Sequence, residues 1–398
     1  MKKIGIYGGT FNPPHTGHLQ AAKQAVEILG LDELLMIPDR IAPHKQIPAG
    51  SPTPDQRLEM LRIALAGEEK IRPSDIELRR EGVSYTYLTL EGLRDLYPGA
   101  ELTLLMGTDM FLSFETWKEP EKIMEMASLG VFYRGEKGEQ EKILAQKEKL
   151  EAKGANVTLV ENNVINISST QLRRLLAFHA ADEFLPAGVG DYIREHGLYD
   201  TNAQWKNLPM EELEPIVIRL LHPNRVAHVL GCRDTAVKMA AHWGENVTDA
   251  ARAGILHDIT KVLDGPLQLT LCAAYGKILS DFSRKYPKTL HALTGSLVAQ
   301  KIFGENEAVV TAICHHTTGR ANMGMLEKII YVADYMEPNR DFPGVEKLRG
   351  LADTDLEEAL WEGLQMTLAM LRERGSEISP GSQSALDWLK NKKYIPKG

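Results

Sequence analysis

The pattern of hydrophobic and polar positions changes character near residue 200 of this 398-residue chain. Before that point, short apolar runs of strand length alternate with longer runs of helical periodicity. The apolar runs are residues 3–7, 34–38, 102–106, 129–133 and 157–160, and the helical runs include 19–29, 54–66 and 87–96. This alternation is typical of a Rossmann-like, doubly wound α/β domain with a parallel sheet, in which ligands bind beyond the carboxyl ends of the strands.

Almost every segment after residue 211 has helical periodicity instead. Examples are residues 225–242, 248–263, 291–303 and 356–374. A polar stretch that contains a proline separates the two regions. We therefore predict an α/β domain at residues 1–200, a linker at 201–211 and an all-α domain at 212–398.

The composition narrows the functional classes. A net charge of −8 argues against a general nucleic-acid-binding protein, although local positive groups can still hold small anionic substrates. No apolar run reaches the length of a membrane span, and the first residues lead into a strand rather than a signal-peptide core, so we expect a cytoplasmic protein. The three cysteines are widely spaced, which argues against a disulfide framework and a thiolate zinc site.

The strongest chemical signal is the string GGTFNPPHTGH at residues 8–18, between the first apolar run and the first helical run. Glycines at the end of a strand let a phosphate approach the backbone, and the following helix offers N–H groups and the positive end of its dipole. The predicted substrate-binding residues of this string are Gly8, Gly9, Thr10 and Phe11. His15 and His18 fall on one face of the helix start, where both would contact one phosphate and stabilise charge in nucleotidyl transfer.

A second string, NISSTQLR at residues 166–173, precedes another helical run. Its hydroxyl residues would cap a helix and leave amides for a phosphate, with Arg173 in the first turn. The predicted substrate-binding residues here are Ser168, Ser169 and Thr170. Helix capping alone is common, so this string by itself favours neither a structural nor a functional role.

Together the two strings resemble the nucleotidyltransferase superfamily that carries the HxGH motif, and in detail the bacterial nicotinate-nucleotide adenylyltransferases. The resemblance implies ATP and nicotinate mononucleotide as substrates, Mg²⁺ as cofactor, and catalytic roles for His15, His18, Lys45 and Arg173. Lys45 would face the phosphate of the mononucleotide. Other adenylyl or cytidylyl transferases with the same motif, such as a phosphopantetheine enzyme, remain alternatives.

The same resemblance implies two further parts of the site. Gly107 and Asp109, at the end of an apolar run, would contact the adenosine portion of ATP. Thr86, Trp117 and Arg134 would form a nicotinate pocket, in which a ring stacks on the pyridine and cationic or hydroxyl groups meet its carboxylate. A core aromatic is the plain alternative for Trp117.

The helical half contains imidazoles and carboxylates, which are ligands of divalent metals. The candidate ligands are His228, His257, Asp258, His291, His316 and Asp334. His257 and Asp258 are adjacent in a predicted helix, where neighbouring side chains point about 100° apart, so they would need ligands from other helices. Six ligands suit two metals better than one, with Asp258 as the bridge.

The order of these residues resembles the HD phosphohydrolase superfamily. The strings HDITK, HTTGR and YVADYMEPNR, which begin at residues 257, 316 and 331, narrow the resemblance to HD-domain hydrolases that split diadenosine tetraphosphate symmetrically into two ADP. It implies iron as the first choice of metal and manganese as the second, with Asp258 and Lys261 catalytic. The polyphosphate would be held by Arg225, Lys261, Arg320 and Arg340.

Several alternatives stay open for the helical half. The resemblance implies an aromatic residue that is not a ligand beside His316, but His315 stands there, which leaves the number of metals open. The domain would otherwise be a phosphohydrolase of other nucleotide specificity, or a non-catalytic module that regulates or docks the first domain. The sequence does not fix the oligomeric state, and a homodimer is one of the alternatives.

Overall fold

The computed structural model describes residues 1–41, 48, 50–133, 138–161 and 167–393. The chain divides into two compact units, Met1–Ala203 and Gln204–Gly398. The predicted limits of domains and linker stay predictions. Trp205 is buried and its ring stacks on that of Phe303 at 5.7 Å, while the amide of Asn207 donates to the Phe303 carbonyl. These contacts attach residues of the predicted linker to the second unit.

The first unit contains a six-stranded parallel sheet with the order β3-β2-β1-β4-β5-β6. The strands are β1 Lys3–Gly9, β2 Glu33–Pro38, β3 Ile71–Pro73, β4 Glu101–Gly107, β5 Ser128–Tyr133 and β6 Val157–Glu161. The helices are α1 Thr16–Ile28, α2 Pro54–Ala64, α3 Thr86–Leu96, α4 Thr108–Leu112, α5 Pro120–Met126, α6 Glu139–Glu151, α7 Ser169–Ala177 and α8 Val189–Glu195. The predicted doubly wound α/β class is confirmed.

Burial on both faces explains why the strands are continuous apolar runs. Every residue of β2 is buried, and in the register of β1 Ile4 pairs with Leu102 while Ile6 pairs with Leu35. The strand order reverses between β1 and β4, which are neighbours. Their carboxyl ends therefore meet at the switch point where such sheets bind ligands.

The second unit is helical, and its described residues contain no strand, so the predicted all-α class is confirmed. Its helices are α9 Met210–Leu220, α10 Val226–Trp243, α11 Val247–Leu256, α12 Gly265–Ala274, α13 Asp281–Lys285, α14 His291–Lys301, α15 Glu307–His315, α16 Met325–Met336, α17 Val345–Ala352, α18 Leu356–Glu373 and α19 Pro380–Lys393. Helix α10 packs against α11 and α16, and α15 packs between α14 and α16. Within the described ranges, no helix has the length and apolar character needed to cross a membrane.

Two predicted helical positions are wrong. Helix α11 ends at Leu256, so the His257-Asp258 pair lies in the turns of residues 257–262 and not inside a helix. The backbone of His257 keeps helical dihedral angles, and no glycine or proline marks the end of α11 in the sequence. Arg173 is the fifth residue of α7, one turn beyond its start, because the helix begins at Ser169.

Candidate functional sites

The end of β1 leaves one stretch of backbone open. A Cβ atom built on Gly8 would meet no atom within 4 Å, whereas one on Gly9 would lie 3.2 Å from the Phe11 ring. Phe11 has a positive φ of 45° and its side chain is buried. The ring thus folds back against Gly9, and the backbone at Gly8 stays exposed at the carboxyl edge of the sheet.

The two predicted catalytic histidines lie together at the start of α1. Their ring centroids are 3.6 Å apart, and the backbone N–H of His15 donates to Nδ1 of His18 (3.2 Å). This bond places the proton of neutral His18 on Nε2, a donor for a phosphate oxygen. Burial lowers the pKa of His15 to about 4, so its ring is neutral at pH 7. Nδ1 of His15 is buried with no hydrogen-bond partner in the described part of the chain.

Helix α7 brings the second predicted string to this loop. Side chains of a helix lean towards its amino terminus, so Arg173 reaches back along its own helix. Its guanidinium donates to the carbonyl oxygen of Asn12 (2.9 Å) and to the hydroxyl of Thr170 (3.1 Å). The hydroxyl of Tyr199 donates to Oδ1 of Asn12 (2.7 Å) and fixes the same loop residue from another side.

Sequence reasoning missed a buried ion pair that supports the loop. Arg57 of α2 is completely buried and donates to the carbonyl oxygens of Thr10 and Asp39 (2.6 Å each). It also pairs with Oδ1 of Asp39 (3.1 Å), whose Oδ2 accepts from the Thr10 hydroxyl (2.8 Å). The one available signal was an aspartate directly after β2, at the edge of the sheet where ligands bind.

The remaining predicted residues of the first unit fall on several elements. Ser168 caps α7 by accepting from the Gln171 amide, and Ser169 and Thr170 are the first two residues of that helix. Gly107 ends β4, and Asp109 is exposed in the short helix that follows. Their roles stay predictions.

Two of the predicted nicotinate-pocket residues are placed by the structure. Thr86 begins α3, and Trp117 packs beside Phe114 with ring centroids 5.4 Å apart. Trp117 also lies against the apolar cluster of β4, as a core aromatic would. Arg134 and Lys45 lie outside the described residues, so the pocket stays a prediction.

The six predicted metal ligands come from five places in the second unit and converge. They are His228 in α10, His257 and Asp258 after α11, His291 at the start of α14, His316 directly after α15, and Asp334 in α16. Each of the six has a side-chain nitrogen or oxygen less than 4 Å from such an atom of at least one other member.

One side of the cluster gathers around Asp334. Nε2 of His228 lies 3.1 Å from Oδ1 of Asp334 and 3.3 Å from Nε2 of His257. These three residues offer ligand atoms within 4.8 Å of one another, as does a second group formed by His257, Asp258 and His316.

The other side of the cluster faces Asp258. Its Oδ1 lies 3.5 Å from Nε2 of His291 and 3.7 Å from Nε2 of His316. Oδ1 of Asp258 and Nε2 of His316 are both buried and have no hydrogen-bond partner in the described residues. Buried polar atoms are normally satisfied, and these two are a carboxylate oxygen and an imidazole nitrogen, so the residues present fit divalent metal.

Burial sets the protonation states of this cluster. It lowers the pKa of His257 and His291 well below the usual value and also lowers that of His316. Burial opposes ionisation of Asp334, but the hydrogen bond with His228 and the neighbouring imidazoles outweigh it and hold its pKa well below the usual range. Neutral imidazoles and ionised carboxylates are the forms that bind metal.

Three of the four predicted polyphosphate-binding residues lie at the cluster. Arg225 pairs with Asp258, and Arg340 donates to Oδ1 of Asp334 (2.7 Å). Nζ of Lys261 is 2.8 Å from Nε2 of His291, and burial lowers the Lys261 pKa to about 8. The cations therefore offset the two carboxylates.

Arg320 and His315 are directed elsewhere. The guanidinium of Arg320 makes two 2.7 Å hydrogen bonds with the carboxylate of Glu327, and Nδ1 of His315 is 3.0 Å from the same carboxylate. A role for Arg320 in binding polyphosphate therefore requires exchange of Glu327 for the ligand. The His315 ring therefore faces Glu327 and not the six candidate ligands.

A further residue of the cluster was missed by sequence reasoning. Glu337 is 1% exposed, and its Oε1 lies 3.1 Å from Nδ1 of His228, on the side of the ring opposite Asp334. It stands three positions after Asp334 within the YVADYMEPNR string, which gave the only signal.

Comparison with known proteins agrees with this division. Residues 6–175 match the cytidylyltransferase-like family and residues 225–339 match the HD domain family. A protein named "Probable nicotinate-nucleotide adenylyltransferase" from Pseudomonas syringae pv. tomato is 37% identical over 210 residues, which cover 50% of this chain and 94% of the relative. One of the same name from Bacillus licheniformis is 36% identical over 203 residues, which cover 50% of this chain and the whole relative.

A solved structure is similar to part of this chain. It is described as a predicted HD superfamily hydrolase involved in NAD metabolism from Clostridium acetobutylicum, with 36% identity and a TM-score of 0.45, and the match covers 46% of this chain and 98% of that one. Through its amino-terminal half the chain belongs to the nicotinate-nucleotide adenylyltransferase family, and the same polypeptide continues into an HD domain.

Proposed function

We propose that the chain is a bifunctional nucleotide enzyme. The first unit transfers AMP from ATP to nicotinate mononucleotide, which gives deamido-NAD and pyrophosphate, in line with the names of its relatives. The second unit hydrolyses diadenosine tetraphosphate to two ADP. The two activities use different chemistry, because one site presents N–H donors and the other presents metal ligands.

The stacked pair of His15 and His18 beside the loop held by Arg173 is the observation that carries the first activity. The phosphate oxygen of nicotinate mononucleotide attacks the α-phosphorus of ATP in line, and pyrophosphate leaves, so no protein nucleophile is needed. The histidines and Arg173 hold two polyanions together and stabilise the charge of the transition state, with Lys45 on the mononucleotide phosphate. Mg²⁺ enters as part of the ATP substrate.

Pyrophosphate release tests this activity. We expect turnover with nicotinate mononucleotide to exceed turnover with nicotinamide mononucleotide, and His18→Ala to lower turnover by roughly 100-fold or more with the fold intact. His196→Ala, which removes an exposed histidine of the same unit, is the matched control. Near-normal turnover in His18→Ala would contradict the role of His18, and preference for nicotinamide mononucleotide or a phosphopantetheine substrate would contradict the specificity.

The proposal for the second unit is carried by two buried atoms, Oδ1 of Asp258 and Nε2 of His316, which have no hydrogen-bond partner among the residues that the structure describes. One group of candidate ligands is His228, His257 and Asp334, and a second is His257, Asp258 and His316. His291 lies 3.5 Å from Asp258. These six residues would hold two metal ions, with iron as first choice and manganese as second. Such a pair, when bound, supplies an activated water and polarises phosphoryl oxygens.

The basic residues of the cluster complete this site. Arg225, Arg340 and Lys261 lie against its carboxylates and would neutralise the polyphosphate chain. Water adds to one of the two central phosphorus atoms, and the bond from that phosphorus to the oxygen shared with the other central phosphate breaks. One ADP leaves with the bridging oxygen, the other keeps the oxygen of water, and a proton is released, so that both products are ADP.

Product analysis tests the second activity. The full-length protein is loaded with Fe²⁺ under reducing conditions and incubated with diadenosine tetraphosphate. We expect ADP as the sole product, its loss in His257→Ala, and its retention in His315→Ala, because His315 contacts Glu327 and not the cluster. Formation of AMP and ATP would contradict symmetrical cleavage.

A second outcome separates the alternatives for this unit. Absence of hydrolysis, in a preparation that contains metal and adenylylates nicotinate mononucleotide, would refute the tetraphosphate assignment. Hydrolysis of nucleoside monophosphates or cyclic nucleotides by the same preparation would then identify another phosphohydrolase. Inactivity on those substrates as well would favour a regulatory or docking module.

A further inference from the structure

The carboxylate of Glu337 lies behind His228, outside the group of six candidate ligands. Glu337 follows α16 directly and is almost completely buried. Its Oε1 lies 3.1 Å from Nδ1 of His228. Its Oε2 accepts from both the backbone amide and the side-chain amide of Asn339, each at 2.8 Å. Both oxygens are therefore engaged, and the orientation of the carboxylate is fixed.

This contact defines which nitrogen of His228 would carry the proton once a cation is bound. A carboxylate faces each ring nitrogen, Glu337 at Nδ1 and Asp334 at Nε2, both at 3.1 Å, and a carboxylate only accepts hydrogen bonds. A cation on the Asp334 side would take the place of the proton at Nε2, whereas the proton at Nδ1 would stay on Glu337. The contact with Glu337 therefore favours the tautomer and the ring orientation in which Nε2 faces the cluster.

The space for this carboxylate depends on a glycine. Gly231 lies one turn after His228 on α10, and a Cβ atom built on it would overlap Oε2 of Glu337 and lie 3.0 Å from Nδ2 of Asn339. The side chain of Asn339 also donates to the carbonyl oxygen of Ala227 (3.1 Å), which ties the arrangement to the start of α10. Helix α10 thus supplies both the histidine and the gap that its partner occupies.

We propose that Glu337 is a positioning residue that, with Gly231 and Asn339, sets the tautomer and orientation of His228 for binding a divalent cation. The proposal rests on the metal site proposed above. Glu337 touches no substrate in this role and acts only through His228. Loss of such a partner of a ligating histidine typically weakens metal binding by about 10- to 100-fold.

Binding of Mn²⁺ to the metal-stripped, full-length protein tests the proposal without any activity assay. Free Mn²⁺ is counted by electron paramagnetic resonance during a titration. We expect Glu337→Gln to weaken the tightest Mn²⁺ site by about 10- to 100-fold. Glu373→Gln is the matched control, because Glu373 is an exposed residue at the end of α18.

A second variant tests the contact between Glu337 and His228 from helix α10. Gly231→Ala should displace the Glu337 carboxylate and weaken Mn²⁺ binding in the same direction. Gly350→Ala, in α17, adds the same methyl group where no atom lies within 4 Å, and should leave binding unchanged. Two variants on different elements keep the test valid if one of them fails to fold, which circular dichroism reports.

The tautomer itself gives a readout that a purely structural role would not change. Long-range proton–nitrogen spectra of the ¹⁵N-histidine-labelled, metal-free protein should show a proton on Nδ1 of His228 in the wild type and in the control variant Glu373→Gln. Glu337→Gln should show less protonation of Nδ1, because the Asp334 carboxylate alone then favours the proton on Nε2. The His228 signal is assigned by its loss in His228→Gln.

The outcomes separate the two proposals. Wild-type Mn²⁺ affinity and an unchanged His228 tautomer in Glu337→Gln would overturn the role of Glu337 and leave the metal site standing. Absence of Mn²⁺ binding by the wild type would overturn the metal site itself, and with it the role of Glu337. Weaker binding in both variants with unchanged controls would support both.

Discussion

The buried pair of Arg57 and Asp39 beneath the glycine loop gives a sharp prediction of stability. The Arg57 side chain is completely buried and that of Asp39 is 13% exposed. Removing one partner leaves the other charge without its counter-ion, which costs about 3 to 5 kcal/mol. Arg57→Met also removes the donor to the carbonyl oxygen of Thr10. We therefore expect it to lower the free energy of unfolding of the first unit by at least about 3 kcal/mol.

Hydrogen exchange followed by mass spectrometry measures this loss within the full-length chain. Amides of β1 and β2 that exchange through unfolding of the unit should exchange on the order of 100-fold faster in Arg57→Met. Arg62→Met on the same helix is the matched control. Arg62 pairs with Glu59 in solvent, with side chains 54% and 42% exposed, so its loss should cost less than about 1 kcal/mol.

A double-mutant cycle isolates the interaction between the two charges. Asp39→Asn keeps the shape of the side chain and removes its charge. The loss in Asp39→Asn/Arg57→Met should be smaller than the sum of the single losses by about 1 to 3 kcal/mol. Additive losses, or protection in Arg57→Met equal to that in Arg62→Met, would refute the reasoning.

Two further predictions concern His15 and Trp205. Burial lowers the His15 pKa from its ordinary value of 6.5 to about 4, so between pH 6.5 and pH 4 the unfolded chain binds a proton that the folded chain does not. The free energy of unfolding of the first unit should therefore fall by about 2 kcal/mol between pH 7 and pH 5. Hydrogen exchange of β1 amides, corrected for intrinsic rates, should show this loss in the wild type and not in His15→Gln, and equal losses in both would contradict it. Trp205→Ala removes a buried ring that stacks on Phe303 and should destabilise the second unit by about 3 to 5 kcal/mol. Unchanged exchange of α14 amides in that variant would show that residue 205 acts as plain linker.

The sequence predicted the sheet well because its strands are buried on both faces and carry an apolar signal of their own. Strand β3 was missed because it has three residues and ends in Pro73, too few for any period to show. The end of α11 was missed because His257 keeps helical dihedral angles and no breaker follows Leu256. The local sequence pattern thus predicts whether a segment is a helix or a strand. It predicts where the segment ends only if a glycine, a proline or a capping residue is present there.

Sequence reasoning found some residues of the candidate sites and missed others. The histidines of the loop and of the cluster were recognisable because their spacing and order are themselves the signal. Arg57 was not, since a charged residue in an amphipathic helix is usually exposed, and its burial depends on Asp39, which is 18 positions away. Glu337 meets His228 across 109 positions, a contact that no local period contains.

The electrostatics of the two units explain why one class of ligand, the polyphosphates, would need two kinds of chemistry in one acidic chain. In the first unit Asp39 is paired with Arg57, so the loop would face a ligand with backbone N–H groups, the two histidines and Arg173. In the second unit Asp258 and Asp334 remain at the centre of the cluster, and the nearby arginines are engaged with them. A polyphosphate would be repelled by these carboxylates until a divalent cation offsets them. Binding of substrate and binding of metal to the protein should therefore be coupled in the second unit, whereas in the first unit the metal would arrive with the ATP substrate.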